Sequence, residues 1–216
     1  MAGSFPQAAL PPGRCRRCAF PPEACLCAEI PRLVVPYRFV ILRHASEIPR
    51  LTNTGRWAAA ALEGSLIHDH AAARPSSDAA VAALLEDGPA ALLFPSPHPP
   101  PPLAAPPRTI VVPDATWAQA RRMVQRLAPL RTLPRLAVPP PPAALRLRRP
   151  PVAGGMSTLE AIAGVLELLG EAPAAAALRR LHDVAVERTL RLKGMWPPDR
   201  DHHRAAGSAA GSDGAP

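Results

Sequence analysis

All four cysteines of the chain lie between residues 15 and 27. Cys15 and Cys18 form a C-x-x-C pair, and Cys25 and Cys27 a C-x-C pair. A tight turn can present two sulfurs at once, and two such pairs close a tetrahedral zinc shell. A shell of four thiolates leaves no position open to water, so the role expected is structural rather than catalytic. Disulfides and unliganded thiols are the competing readings. The chain shows no basic start followed by an apolar stretch, so no secretory signal is expected, and a reducing, cytoplasmic setting is the default. Arg14, Arg16 and Arg17 decorate the same segment and could touch phosphate.

The second chemical stretch is Val111 to Met123, V-V-P-D-A-T-W-A-Q-A-R-R-M. Thr109 to Val112 are mostly β-branched and apolar, which predicts a short buried strand, and Pro113, with no amide to donate, is expected to end it. Asp114 then stands where a helix N-cap belongs, ahead of a helix-forming run. Trp117, Ala120 and Val124 fall near one helical face, with Arg121 and Arg122 turned elsewhere. On spacing alone a plain cap is the simpler reading of Asp114, and core packing that of Trp117. The chemical reading is an acid at the carboxyl end of a strand, where open α/β sheets bind ligands.

Other candidates flank these two. His44 and Glu47 follow an expected first strand, Tyr37 to Leu42. Thr52-Asn53-Thr54-Gly55-Arg56 opens a helix through the alanines to Leu62, with Thr52, Asn53 or Thr54 as its cap. Capping plus a solvated Arg56 is the plain reading; small residues and an Arg at a helix N-terminus also make an anion site. Ser157 or Thr158 would cap a later helix, with Glu160 in its first turn. Leu145 to Arg149 alternates as a strand with Arg146 and Arg148 on one side. His68 and His70 read as surface histidines at a strand end.

The elements that must carry these residues follow from pattern. Strands are expected at Ser65 to His68, Ala90 to Phe94 and Arg135 to Val138. Helices are expected at Ser77 to Leu85, beyond Asp114, and at Ala172 to Lys193. Strands alternating with helices predict an α/β fold with a mostly parallel sheet. The 216 residues suit one domain with a small appendage, and 48% hydrophobic content suffices for a core. Proline is abundant at 31 residues, which shortens elements and enlarges loops. Residues 97–107 are low-complexity, and residues 1–13 and 199–216 are expected to be disordered. No apolar run is long enough to cross a bilayer. Net charge is +8 with a pI near 10.8, carried almost wholly by arginine, and this favours a polyanionic partner such as RNA.

Several stretches resemble one family in the same order. Asp114-Ala115-Thr116-Trp117, with Ala120, Arg121 and Met123 behind it, resembles the D-x-T-W signature of the DTW-domain family. Cys15, Arg17, Cys18, Pro21, Cys25, Leu26 and Cys27 resemble its N-terminal cysteine element, and His44, Glu47, Asn53, Thr54, Gly55 and Arg56 its first strand-to-helix loop. Phe94-Pro95 resembles a strand-end F-P, and Thr158, Glu160 and Ala161 a T-x-E-A element. Where the family commonly has Y-R-L-R, this chain carries Leu145 before Arg146 and Arg148. The resemblance spans residues 14–193.

That resemblance implies a SPOUT-like knotted, mostly parallel sheet flanked by helices. It implies a zinc knuckle at residues 14–31 and a catalytic domain at 32–198. It implies transfer of the 3-amino-3-carboxypropyl group of S-adenosylmethionine to a tRNA uridine. Asp114, Thr116, Trp117 and Glu47 are then the catalytic candidates. Asn53, Thr54, Gly55, Arg56, Phe94, Pro95, Asp114, Thr158 and Glu160 are the donor-binding candidates. Arg16, Arg17, Arg121, Arg122, Arg146 and Arg148 are the RNA-binding candidates, and Cys15, Cys18, Cys25 and Cys27 the zinc ligands. A capping Asp114 would stay charged in the field of its helix, which suits an anchor for the donor ammonium better than a base. A SPOUT-like RNA methyltransferase and a non-catalytic zinc-knuckle RNA-binding protein are the alternative readings.

Overall fold

A computed structural model describes residues 9–70, 77–95, 106–140 and 155–196. Strands β1 (Arg38–His44), β2 (Leu66–His70), β3 (Ala90–Leu93), β4 (Thr109–Asp114) and β5 (Arg135–Leu136) form one sheet in the order β2-β1-β4-β3-β5. Every pairing is parallel. Phe39, Val40, Ile41 and Leu42 are all buried, as are Ile110 and Val111, because helices cover both faces of the sheet.

On one face lie helices α1 (Thr54–Ala61), α5 (Thr158–Leu168) and α6 (Ala172–Leu192). They pack Trp57, Leu159, Ile162, Leu178 and Leu181 against Phe39, Ile41, Ile110 and Val112. On the other face lie α2 (Asp78–Ala83), α3 (Trp117–Arg126) and α4 (Ala128–Arg131). These set Val81, Met123, Val124, Leu127 and Leu130 against Val40, Leu42, Leu92 and Val111. The period of two along β1 and β4 assigns each strand residue to one core or the other.

β1 leads through α1 to β2 on one side, while β4 leads through α3 and α4 to β5 on the other. The chain therefore diverges between the carboxyl ends of β1 and β4, the crevice where ligands bind in such sheets.

Two expectations from sequence are corrected here. Pro113 does not end the strand; β4 continues through it to Asp114, with Leu42 opposite Pro113 and Arg43 opposite Asp114. The pairing of β3 with β4 stops at Val111, so Pro113 lies past the stretch flanked on both sides, where a missing amide costs least. Nor is Asp114 the helix cap. Thr116 holds that position, and Gln119 Oε1 accepts its backbone N–H at 3.1 Å. The expected strand with Arg146 and Arg148, the tail at 199–216 and most of the proline loop at 97–107 lie outside the described residues.

The cysteine segment is built into the main core. Cys18, Phe20 and Leu26 are fully buried beside α1 and α6. Trp57 Nε1 donates to the carbonyl of Cys18 at 2.9 Å, and its ring lies 5.7 Å from that of Phe20. From α6, Arg188 donates to the Cys25 carbonyl and pairs with Glu29 at 2.6 Å.

Candidate active site

The crevice is organised on Asp114, the last residue of β4, which is 4% exposed. It shares a face with Ile110 and Val112, so its carboxylate points toward α1 and α5. Asn53 Nδ2 donates to Asp114 Oδ2 at 2.5 Å, and Thr158 Oγ1 donates to Oδ1 at 2.6 Å. Asn53 is also the N-cap of α1, its Oδ1 accepting the Arg56 amide at 3.1 Å. One side chain thus caps the helix and holds the acid. Ser157 caps α5, with Glu160 Oε2 accepting the Ser157 amide at 2.7 Å, which leaves the Thr158 hydroxyl for Asp114. Thr54 Oγ1 accepts the Leu159 amide at 3.4 Å, joining the two helix starts.

Gly55 explains why these groups fit. A Cβ there would lie 2.6 Å from Asp114 Oδ2 and 2.7 Å from its Cγ. The carboxylate occupies the space of a side chain, and only glycine brings α1 this close.

Burial raises the pKa of Asp114 above the ordinary carboxylate range. The hydrogen bonds from Thr158 and Asn53, and the charges of Arg43 and Arg56, oppose that shift without cancelling it. This corrects the expectation of a carboxylate kept charged by its own helix, because Asp114 caps none.

Two arginines lie beneath. Arg43 is buried on β1 and holds Asp69 of β2 in a two-point contact, Nε to Oδ1 at 2.7 Å and Nη2 to Oδ2 at 3.0 Å. Arg56 is only 6% exposed, not solvated as its plain reading required. Its Nη2 donates to the Ile48 carbonyl at 2.6 Å, while Nη1 is buried without a hydrogen-bond partner among the described residues. Burial and the neighbouring Arg43 lower its pKa.

The other face of the crevice carries different groups. Phe94, at the end of β3, and Trp117 are half-buried with ring centroids 6.0 Å apart. Arg135 lies 5.7 Å over the Phe94 ring and donates to the Pro95 carbonyl at 3.2 Å. Thr116 is exposed; its hydroxyl donates to Gln119 Oε1 at 2.7 Å. Gln119 Nε2 donates to Ser46 Oγ at 3.3 Å, and Ser46 Oγ lies 2.8 Å from His44 Nδ1. Glu47, buried in the turn after β1, pairs with Arg50 at 3.4 Å.

The structure therefore brings Asn53, Thr54, Gly55, Arg56, Asp114 and Thr158 together, and sets Phe94, Thr116 and Trp117 across the crevice. Glu160 serves the α5 cap. Arg121 and Arg122 are exposed on α3, with Arg122 close enough to His44 to shift it, whereas Arg17 reaches the Ala60 carbonyl on α1 and Arg16 is exposed beside it. Sequence reasoning missed Arg43, Asp69, Ser46, Gln119 and Arg135. Only Arg43 left a signal, a charged residue in phase with the core positions Phe39 and Ile41.

The four cysteine sulfurs all lie within 4.8 Å of one another and could hold a metal ion. Cys15 and Cys27 are 3.5 Å apart, and Cys18 and Cys25 3.7 Å. Backbone amides of Cys18 and Arg17 lower the Cys15 thiol to about 6, while burial raises Cys18 and Cys27. A cavity of about 620 Å³ at the opposite end of the sheet is bordered by Tyr37, Arg38, Asp87 and Arg108, and contains none of these groups.

Two outcomes are expected. Asp114 binds a proton more tightly folded than unfolded, so its protonation stabilises the fold below the ordinary value of 3.8 and that contribution is lost as pH rises through the native value. Asp114→Asn should therefore match or exceed the wild-type melting temperature at pH 8 and lose that relative advantage near pH 4; a lower melting temperature at pH 8 would contradict the assignment. Gly55→Ala should cost about 1–3 kcal/mol, a fall of roughly 3–10 °C in Tm by thermal melt.

No solved structure matches the chain. The model of the DTW domain matches residues 13–190, which include the cysteine cluster, Asp114 and the α5 start. The chain therefore belongs to the DTW-domain family, a family associated with the modification of tRNA.

Proposed function

We propose that this protein transfers the 3-amino-3-carboxypropyl group of S-adenosylmethionine to N3 of a tRNA uridine. The single observation that carries the reading is Asp114, a buried acid of raised pKa held by Asn53 and Thr158 at the divergence of β1 and β4. Uridine N3 attacks the γ-carbon of the methionyl chain as the carbon–sulfur bond breaks. The bonding pair stays on sulfur, methylthioadenosine leaves, and the N3 proton goes to a base. The sulfonium activates three carbons, and the one attacked is the one aligned with the nucleophile.

The site suits the amino-acid end of the donor. Nη1 of Arg56, without a hydrogen-bond partner among the described residues, supplies a buried cation for its carboxylate, and Asp114 an acceptor for its ammonium. The raised pKa also strengthens Asp114 as a base, more than its reading as a cap allowed. Phe94 and Trp117 offer half-buried rings for a base, and the net charge of +8 suits tRNA. The SPOUT-like knot belongs to the same reading.

The cysteines are proposed to hold a structural zinc. Zinc–sulfur bonds of about 2.3 Å in a tetrahedron place the sulfurs roughly 3.8 Å apart. The spacings of 3.5 Å for Cys15–Cys27 and 3.7 Å for Cys18–Cys25 are close to that value, and all four sulfurs lie within 4.8 Å of one another. Zinc-bound thiolates suit a reducing compartment, and a cytoplasmic location is proposed with them.

The test uses donor labelled separately in the methyl and carboxypropyl carbons, incubated with enzyme and tRNA. Carboxypropyl label should enter tRNA and methyl label should not; methyl incorporation would assign the protein to the methyltransferases. Asp114→Ala should abolish incorporation. Elemental analysis of purified, reduced protein should give one zinc per chain, and chelation should lower the melting temperature of the whole domain in one transition. Metal-free protein with an unchanged melt would remove the zinc.

A further inference from the structure

The hydrogen bonds across the crevice from Asp114 run in one direction. The Thr116 backbone N–H can only donate, and it meets Gln119 Oε1 at 3.1 Å, so the Gln119 amide orientation is fixed. The Thr116 hydroxyl donates to the same oxygen at 2.7 Å. Gln119 Nε2 must then donate to Ser46 Oγ, at 3.3 Å. The Ser46 backbone N–H, another obligate donor, points at His44 Nδ1 at 3.2 Å. Nδ1 is therefore the acceptor of the ring, and the Ser46 hydroxyl proton is directed to it across 2.8 Å. These contacts favour the neutral imidazole with its proton on Nε2. Nε2 is not buried and has no partner among the described residues.

The groups around the ring favour this state. Arg122 faces His44 from α3, His70 stands opposite it on β2, and His68 and Arg126 lie near His70. Burial and Arg122 lower the His44 pKa below 6.5. A second proton would have to sit on Nδ1, against the Ser46 amide.

We propose that His44 Nε2–H donates a hydrogen bond to a carbonyl oxygen of the uracil being modified, with Ser46 and Gln119 as positioning residues. The inference rests on the transfer reading above. When N3 gives up its proton, the negative charge spreads onto the two flanking carbonyl oxygens. A fixed N–H at one of them stabilises that charge where it develops. A neutral donor suits a carbonyl, whereas a phosphate would draw an imidazolium. The location agrees: His44 ends β1, Thr116 follows Asp114 by two residues, and the ends of β1 and β4 border the same crevice. Asp114 would then serve the donor from the α1 and α5 face, and His44 the acceptor base from the α3 face.

The test is single-turnover transfer with saturating tRNA and donor, alongside calorimetric donor affinity. His44→Ala should slow transfer by roughly 10²-fold with donor affinity unchanged. His44→Gln, which returns an amide N–H to that region, should recover part of the rate. Ser46→Ala should slow transfer less, and ¹⁵N spectra should show a larger fraction of His44 with its proton on Nδ1, because the 2.8 Å hydroxyl contact is lost and only the 3.2 Å backbone amide still holds the tautomer. His44→Ala transferring at the wild-type rate would overturn the proposal. So would a His44→Ala protein that keeps the full rate but binds tRNA with a shallower salt dependence, the mark of a phosphate contact. A wild type that binds donor yet never moves its carboxypropyl carbons defeats this reading and the one it rests on; normal transfer by both proteins defeats this one alone.

Discussion

The structure depends on a carboxylate occupying the volume of a side chain that is not there. Asp114 lies against the Cα of Gly55, and that contact sets the start of α1, with Asn53 and Arg56, at the acid. A buried acid in an apolar core costs several kcal/mol unless hydrogen-bonded. Here Asn53 and Thr158 supply the bonds, each from the first turn or cap of a helix that converges on the strand end. Bringing two helix starts to one carboxylate requires α1 to lie closer to β4 than any residue with a Cβ permits. The glycine, the acid and the two donors are thus one solution to one packing problem. The burial left over, visible in the raised pKa, is a cost that a purely structural residue would not need to carry.

The alternation of side chains along parallel strands then divides the crevice in two. Ile110, Val112 and Asp114 face α1 and α5; Val111 and the turn beyond it face α3. Arg43, opposite Asp114 in the register, keeps the acid's face cationic and is itself held by Asp69. The α3 face instead carries neutral donors, aromatic rings and exposed arginines. One side is built for the charged end of a small molecule, the other for a planar base with phosphates near it. The topology makes that possible, because the chain leaves β1 and β4 in opposite directions and keeps the space above their ends open.

Much of this was legible in the residues. Runs such as Phe39 to Leu42 and Thr109 to Val112 gave the buried strands, and the cysteine spacing marked a four-sulfur cluster. What misled was local ambiguity. In D-A-T-W both Asp114 and Thr116 are good caps, and sequence offers no means to tell which has left the helix for a tertiary partner. Pro113 reads as a terminator unless the neighbouring strand is known to have ended at Val111. Arg56 reads as solvated because its burial comes from β1, β2 and the Ile48 turn rather than from its own helix. The Ser46 to Gln119 contact spans 73 residues, and no periodicity encodes it.

The cysteine cluster takes its place in this scheme through the same helix. At eight residues α1 is too short to be stable alone, so its position is set by what it docks against. At its start, Gly55 meets Asp114; two residues on, Trp57 donates to the Cys18 carbonyl and packs on Phe20. Gly55 and Trp57 are rigidly linked, so the cysteine loop is one of the supports that keep the helix start against the acid. Arg188 fastens the far side of that loop to α6, which in turn packs on α5 and so on the Thr158 end of the site. A cluster with no open coordination position can therefore act on chemistry it never touches, by holding the two helices whose first residues grip Asp114.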